Sequence, residues 1–142
     1  MNFVKRVVFD TSTLVSAVLR PASLPRQAFL KAIAEAELCA SASTLGELEE
    51  VLTRDKFDRY CDAATRRAFF DLYRRHARLI AVSSADETTV SPPCRDARDH
   101  KFLALAQACS ADSIVSSDDD LLTLNPWNSI SLLLPKDYLA RP

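Results

Sequence analysis

Five acidic residues stand where short apolar runs end or amphipathic segments begin: Asp10, Glu47, Asp96, Asp99 and Asp118. Asp10 follows the apolar run at residues 7–9, and Asp118 follows a second run at residues 113–117. If both runs are strands of a parallel sheet, their carboxyl ends meet at one edge, where such sheets bind ligands. The other three acids lie at the starts of predicted helices that leave from the same edge. The sequence therefore predicts a cluster of carboxylates drawn from four separate segments.

Such a carboxylate cluster predicts a metal site. Carboxylates that lie close together raise one another's pKa, so a bound cation is needed to compensate their charge. Ligands that are all oxygen atoms suit Mg²⁺, Mn²⁺ or Ca²⁺ rather than zinc or copper. Neither the two histidines nor the four cysteines stand at ligand spacing. With Mg²⁺ or Mn²⁺ the accessible chemistry is hydrolysis of a phosphodiester by water, because the ion activates water and neutralises phosphate charge.

Composition excludes several other classes of function. Gly46 is the only glycine, so neither a P-loop nor a dinucleotide-binding glycine motif can be written in this chain. No Ser-His-Asp or Cys-His arrangement indicates covalent catalysis. The formal net charge of −1 excludes a wholly basic surface, so any RNA contact must depend on local basic patches. The four cysteines lack paired spacing and are expected to be reduced thiols.

Length and hydropathy indicate one cytoplasmic domain. With 142 residues, 48% of them hydrophobic, the chain suits a single domain over residues 1–142. The first six residues lead directly into an apolar run and do not resemble a signal peptide. No stretch approaches the ~20 apolar residues that a membrane span needs. We therefore expect a cytoplasmic location and no membrane segment.

Short apolar runs alternate with longer amphipathic segments, which predicts alternating strands and helices. The predicted strands cover residues 7–9, 38–40, 79–82, 113–117 and 130–134. The predicted helices cover residues 24–35, a segment opened by Ser41 or Thr44, residues 62–78, residues 98–109 and a short segment from Pro135. Apolar strands separated by helices are typical of a parallel sheet covered on both faces. The sequence thus predicts a three-layer α/β/α sandwich with a five-stranded parallel sheet.

Each of the acids also has a structural explanation. Asp10 suits the cap of a following helix, and Glu47 suits a capping box that begins at Thr44. Asp96 and Asp99 suit the first turn of a helix, where the helix dipole favours negative charge. The joint placement of the acids favours a functional site over these separate explanations.

Two runs of charge are open to more than one interpretation. Of the three consecutive acids at residues 118–120, we expect one to bind an ion, one to cap the next turn and one to be solvated. The arginines of the longest predicted helix form either an RNA-binding face or, as we favour, its solvated side. These are Arg66, Arg67, Arg74, Arg75 and Arg78.

Four segments in order resemble the motifs of the PIN-domain family, in its bacterial and archaeal branch of toxins from toxin–antitoxin pairs. They are residues 7–12 (VVFDTS), 41–48 (SASTLGEL) continued by 51–57 (VLTRDKF), 94–106 (CRDARDHKFLALA) and 114–122 (IVSSDDDLL). The similarity ends with residues 135–139 (PKDYL) and covers nearly the whole chain. Four motifs in order are far more specific than any one of them.

The resemblance implies a metal-dependent ribonuclease. The family's acidic quartet falls on Asp10, Glu47, Asp99 and Asp118, as catalytic residues and as metal ligands. The accessory positions are Asp96, Asp120, Ser12, Thr11 and Ser41. The resemblance further implies cleavage of single-stranded RNA with Mg²⁺ or Mn²⁺, frequently by a homodimer, and an antitoxin protein as partner. The alternative is a non-catalytic PIN-like module that binds RNA or a protein, which loss of a quartet acid would favour, and none is lost.

Three positions depart from the family's pattern. Ser12 stands where Asn is common, Ser117 where Gly is usual, and His100 where a further acid or Asn is common. None of the three removes a quartet acid. Ser117 bears on the backbone of the last motif, because glycine adopts conformations that serine avoids.

Two other phosphoryl-transfer classes also place an aspartate after the first strand. A phosphatase of the haloacid-dehalogenase kind needs a second Asp two residues after Asp10, where this chain has Ser12. A receiver-type phosphoacceptor domain needs an acceptor Asp after the third strand, where this chain has Ser83 and Ser84. Both classes are therefore disfavoured.

Overall fold

A parallel sheet of five strands forms the centre of the computed structural model, which describes residues 4–142. The strands are β1 (Arg6–Phe9), β2 (Glu37–Ala40), β3 (Arg78–Leu79), β4 (Ser113–Val115) and β5 (Ser131–Leu133). The helices are α1 (Thr11–Leu19), α2 (Leu24–Glu35), α3 (Ala42–Leu52), α4 (Ala63–His76), α5 (Ser84–Thr88), α6 (His100–Ala108), α7 (Asp119–Leu122) and α8 (Pro135–Ala140). Two 3₁₀ turns, Asp55–Phe57 and Ala97–Asp99, precede α4 and α6.

Both faces of the sheet are covered by helices. Val7 and Phe9 of β1 belong to one apolar cluster, which they share with buried side chains of α1, α2, α3, α4 and α8. Val8 points to the other face and belongs to a second cluster with α6, α7 and Trp127. A strand that is apolar at consecutive positions is expected where both faces are buried. The predicted three-layer α/β/α sandwich with a five-stranded parallel sheet is confirmed.

The order of the strands places the ends of β1 and β4 side by side. The sheet runs β3-β2-β1-β4-β5, and Val8 of β1 is in register with Ile114 of β4. Strands β2 and β3 lie on one side of β1, and β4 and β5, which come later in the chain, lie on the other side. A crevice opens where the strand order reverses, at the carboxyl ends of the strands. Asp10 directly follows β1 at this crevice, and Asp118 comes three residues after β4.

The elements differ from the sequence predictions at several points: helices α1, α5 and α7 were not predicted, and the fourth and fifth strands are shorter than the predicted ranges 113–117 and 130–134. The sequence does not reveal α1, because its apolar residues, at positions 14–19, form a short and nearly continuous run without a clear helical period. The third strand was predicted over residues 79–82 but pairs only as Arg78–Leu79, because the chain turns away at Ser83, the N-cap of α5. The helix predicted over residues 98–109 is divided into the 3₁₀ turn Ala97–Asp99 and α6.

No disulfide joins any of the cysteines in the described part of the chain. All four cysteines are free thiols, and three of them are buried among apolar side chains. Within residues 4–142, no helix has the length and apolar character needed to cross a membrane.

Candidate active site

An open pocket of about 640 Å³ contains the predicted acids. It is lined by Asp10, Glu47, Asp96, Asp99 and Asp118, together with Thr11 and Ser12. The structure therefore brings together the five acids from four segments of the chain. The other two accessory residues of the sequence prediction, Ser41 and Asp120, are not among the residues that line the pocket.

Asp10 is the most deeply buried of these acids, with 3% of its surface exposed. Its carboxylate caps α1 by accepting a hydrogen bond from the backbone N–H of Thr13 at 3.0 Å. It also accepts a hydrogen bond from the hydroxyl of Ser116. Burial raises the pKa of Asp10, the bonds from Ser116 and Thr13 oppose that rise, and the charge of Asp118 adds to it. Asp10 therefore has both its predicted structural role as a cap and a place in the pocket.

Ser116 connects two of the acids and was missed by the sequence analysis. Its fully buried hydroxyl donates to Asp10 and accepts from the backbone N–H of Asp118 at 2.9 Å. The available signal was its position, since it is the first residue after β4 and faces the end of β1. Polar residues at that point of a parallel sheet are candidates for a site.

Asp99 has an unsatisfied oxygen inside the pocket. Its Oδ2 atom is buried and has no hydrogen-bond partner among residues 4–142. Burial, then the neighbouring Asp118, and more weakly Asp96 and Asp10, raise the pKa of Asp99 to about 7. An orphaned carboxylate oxygen costs free energy unless a proton or a cation reaches it.

The three consecutive acids at residues 118–120 have different environments. Asp118 lines the pocket and caps α7, accepting a hydrogen bond from the backbone N–H of Asp120 at 2.9 Å. Asp119 is exposed, and Asp120 is half-buried outside the pocket lining. The cap and the pocket acid are thus the same residue.

Glu47 is held by two partners from other helices. Its Oε1 accepts a hydrogen bond from the hydroxyl of Thr11 at 2.5 Å, and its Oε2 accepts one from Nζ of Lys101 at 2.6 Å. The capping-box explanation for Glu47 is wrong, because α3 begins one turn earlier. There Ser41 is the N-cap and exchanges hydrogen bonds with Thr44.

Asp96 fits its structural explanation well. It caps the 3₁₀ turn Ala97–Asp99, accepting a hydrogen bond from the backbone N–H of Arg98 at 3.0 Å. It also forms an ion pair with the guanidinium of the same arginine at 3.0 Å. The hydrogen bonds and charge of Arg98 lower the pKa of Asp96.

Four basic side chains surround the acids, and they are not the ones considered from the sequence. The pocket lining includes Arg20, Arg54, Lys56 and Arg98. None of the five α4-region arginines lines it. Arg66 is 1% exposed and donates to the backbone oxygen of Leu52 at 2.7 Å and to Asp58 at 2.9 Å. Arg66 is therefore neither an RNA-binding residue nor a solvated one, and it ties α4 to the segment that carries Arg54 and Lys56.

Two departures from the family's pattern are accommodated locally. Ser117 is not among the described residues with positive φ, so the last motif does not require glycine there. His100 accepts a hydrogen bond from the backbone N–H of Cys94 at 3.0 Å through Nε2. The imidazole thus ties the chain before the 3₁₀ turn to the start of α6.

The donor set fits a hard divalent cation in its chemistry. Asp10, Asp99 and Asp118 offer only oxygen atoms, and Oδ2 of Asp99 lacks a partner in the described part of the chain. As the side chains stand, no group of three or more His, Cys, Asp or Glu residues within residues 4–142 has metal-binding geometry.

The sequence profile of the PIN domain matches residues 6–120, which is most of the chain. The chain belongs to the PIN-domain family. The match includes all four acids of the quartet, from Asp10 to Asp118. No curated protein sequence matches this PIN domain.

Solved structures share the fold at low sequence identity. VapBC2 from Rickettsia felis, solved with a DNA fragment from its promoter, matches with a TM-score of 0.65 and 12% identity over 91% of this chain and 98% of that chain. VapC20 of Mycobacterium tuberculosis, a sarcin–ricin loop cleaving toxin, matches with a TM-score of 0.57 and 14% identity over 88% and 98%. FitAcB of Neisseria gonorrhoeae matches with a TM-score of 0.58 and 16% identity over 92% and 98%. The matches with these three structures cover about nine-tenths of this chain.

Proposed function

We propose that this PIN domain is an endoribonuclease that cleaves single-stranded RNA by water attack on a phosphodiester, with Mg²⁺ or Mn²⁺ as cofactor. The observation that carries the proposal is the pocket in which Asp10, Glu47, Asp99 and Asp118 meet, with one buried carboxylate oxygen left without a partner. A divalent ion bound there would activate water and neutralise charge on the scissile phosphate. This quartet is the proposed catalytic and metal-binding set, and Thr11, Ser12 and Asp96 line the same pocket.

The chain's own residues prepare this site in two ways. Ser116 and the N-cap of α1 fix the carboxylate of Asp10, so its oxygens are oriented before any ligand arrives. The four basic residues of the pocket lining can contact phosphates on either side of the scissile bond. These four residues, Arg20, Arg54, Lys56 and Arg98, form a basic rim around the pocket. Such a local cluster of positive charge would allow RNA binding although the whole chain has a net charge of −1.

The experiment is a cleavage assay with the purified chain. A labelled, mixed-sequence single-stranded RNA and its duplex form are incubated with Mn²⁺, Mg²⁺ or EDTA. We expect cleavage of the single strand with either metal and none with EDTA. Asp10→Asn should abolish cleavage, whereas the matched control Asp119→Asn, which changes an exposed acid outside the pocket, should retain it. RNA that is bound but not cut in any condition would support the non-catalytic binding module instead.

We further propose that the protein acts in the cytoplasm as the toxin of a toxin–antitoxin pair, with an antitoxin protein as partner. The support is the fold shared with VapC20, VapBC2 and FitAcB. Expression in a bacterial host should arrest growth, and Asp10→Asn should relieve the arrest. A homodimer is proposed from the same resemblance, and light scattering of the purified chain should give twice the mass of 15.8 kDa. A monomer, or growth arrest that Asp10→Asn does not relieve, would contradict these proposals.

A further inference from the structure

Glu47 is already neutralised by the chain itself. Both of its carboxylate oxygens are engaged, one by Thr11 at 2.5 Å and the other by Lys101 at 2.6 Å. The side chain of Lys101 is 16% exposed and that of Glu47 is 31% exposed, so water screens the pair only in part. Each oxygen keeps a lone pair for another ligand, but the negative charge that would attract a metal ion to Glu47 is already compensated by Lys101.

Lys101 is fixed from a second side. Its Nζ also donates to the backbone oxygen of Arg98 at 2.7 Å, at the 3₁₀ turn that carries Asp99. An ammonium held by two short hydrogen bonds is oriented rather than free to swing into solvent. Lys101 therefore keeps a positive charge beside the acidic pocket in the absence of metal.

The other acids of the quartet have no such partner. Among residues 4–142, neither Asp10, Asp99 nor Asp118 forms an ion pair with a lysine or arginine. The orphaned oxygen of the pocket belongs to Asp99. The uncompensated negative charge of the quartet thus lies on the three aspartates and not on Glu47.

We propose that Lys101 is a built-in cation of this site, positioned by Glu47, and that the divalent ion is held by Asp10, Asp99 and Asp118 without Glu47. The inference rests on the metal dependence proposed above and deepens it, because it assigns Glu47 a positioning role in place of the ligand role. The ammonium of Lys101 would repel a second divalent ion placed beside it. The pocket therefore holds a single ion, bound by the aspartates.

Isothermal titration calorimetry of Mn²⁺ into the metal-free full-length chain tests the inference. The variants are Asp99→Asn, Lys101→Met, Lys101→Arg and the double variant Glu47→Gln/Lys101→Met. The double variant is decisive because it removes a carboxylate and its counter-charge together, and it leaves no unpaired charge that would impair folding. Circular dichroism confirms that each variant is folded.

We expect the wild-type chain and the double variant to bind one Mn²⁺ with affinities within about threefold of each other. Asp99→Asn should weaken binding by about tenfold or more, because a charged ligand is lost. Lys101→Met frees Glu47 and should add a second Mn²⁺ or tighten the first by about tenfold, whereas Lys101→Arg, which keeps the charge, should behave as the wild type.

Two results would overturn the inference while leaving the proposed function standing. One is a loss of Mn²⁺ affinity in the double variant as large as that in Asp99→Asn, which would make Glu47 a ligand. The other is a Lys101→Met chain that binds Mn²⁺ as the wild type does. A wild-type chain that binds no Mn²⁺ would instead contradict the proposed metal dependence itself, and the inference with it.

Discussion

The carboxylates of Glu47 and Asp99, on two sides of the acidic pocket, differ in how their surroundings stabilise negative charge. On the side of α3, both oxygens of Glu47 receive hydrogen bonds, and the ammonium of Lys101 opposes its charge. On the side of the 3₁₀ turn, Asp99 has a buried oxygen with no partner in the described chain. Both residues line the same cavity. The difference between their carboxylates therefore comes from the side chains that surround each of them.

This difference shows where the protein can accept an external cation. A partly buried carboxylate needs a counter-charge, a proton or an ion, because burial removes the water that would otherwise stabilise its charge. Lysine supplies the counter-charge to Glu47. For Asp99 the raised pKa of about 7 indicates that a proton takes that place near neutral pH when no ion is bound. A divalent ion would therefore bind at the aspartate side of the pocket, which consists of Asp10, Asp99 and Asp118.

The largest expected effect comes from disabling the aspartate side. Asp10→Asn should reduce metal-dependent RNA cleavage by at least about a hundredfold, as the loss of one electrostatic group does in other active sites. It should leave the metal-free fold as stable as before or more so, because Asn also caps helices and carries no buried charge. Cleavage rates and thermal unfolding in EDTA measure the two effects. Unfolding of the variant without metal would mean that Asp10 is structural.

A smaller effect is expected from removing the positive charge of Lys101 beside Glu47. Lys101→Met leaves Glu47 without a counter-charge and should destabilise the metal-free protein by about 1–3 kcal/mol. Urea denaturation measures the loss, and Lys136→Met on the exposed surface of α8 is the matched control. Equal stability of the two variants would show that the pair with Glu47 contributes nothing.

The pH dependence should follow the aspartate side. Asp99 has a pKa of about 7 in the folded chain against 3.8 ordinarily, so between about pH 8 and pH 5 the folded state takes up a proton that the unfolded state does not. The free energy of unfolding of the metal-free protein should therefore rise as the pH falls through 7. Buried Asp10, whose pKa is also raised, acts in the same direction.

Comparison of the wild type with Asp99→Asn isolates the contribution of this one carboxyl group. Denaturation at pH 8, 7, 6 and 5 should give a flatter profile for the variant than for the wild type. Parallel profiles would contradict the assignment of the proton to Asp99.

The smallest effect is expected at the basic rim. Lys56→Gln removes one exposed charge of the pocket lining and should weaken RNA binding slightly while lowering its salt dependence by about one phosphate contact. Arg74→Gln on exposed α4 is the control and should change neither quantity. Binding measured across a series of salt concentrations with uncleaved RNA and EDTA checks this. Equal effects of the two substitutions would indicate a diffuse RNA-binding surface.

Much of the fold and the acidic side of the pocket could be predicted from sequence, because each depends on local patterns. Apolar runs define the strands, and the residues that follow them must lie at one edge of a parallel sheet. Asp10 and Asp118 were placed in this way. The length of the third strand was harder to predict, since it depends on where the chain leaves the sheet edge at Ser83.

The partners of the acids could not be predicted, because they are set by packing between distant segments. Lys101 meets Glu47 across 54 positions of the chain, and Ser116 meets Asp10 across 106. Lys101 stands within the third of the segments that resemble the family's motifs, but that resemblance does not show that its ammonium meets Glu47. Arg66 shows the same limit, since helical spacing alone could not reveal that one arginine of α4 is buried.

The most direct test is a thermal unfolding series of the metal-free chain with increasing Mn²⁺, beside Asp99→Asn. If the aspartate side accepts the ion, the wild-type midpoint should rise and saturate, with ~2.7 kcal/mol of stabilisation at 100 times the Kd. The variant should show little or no rise. A midpoint that stays constant in both chains, or that rises equally in both, would contradict the claim that the pocket is completed by a divalent ion at Asp99.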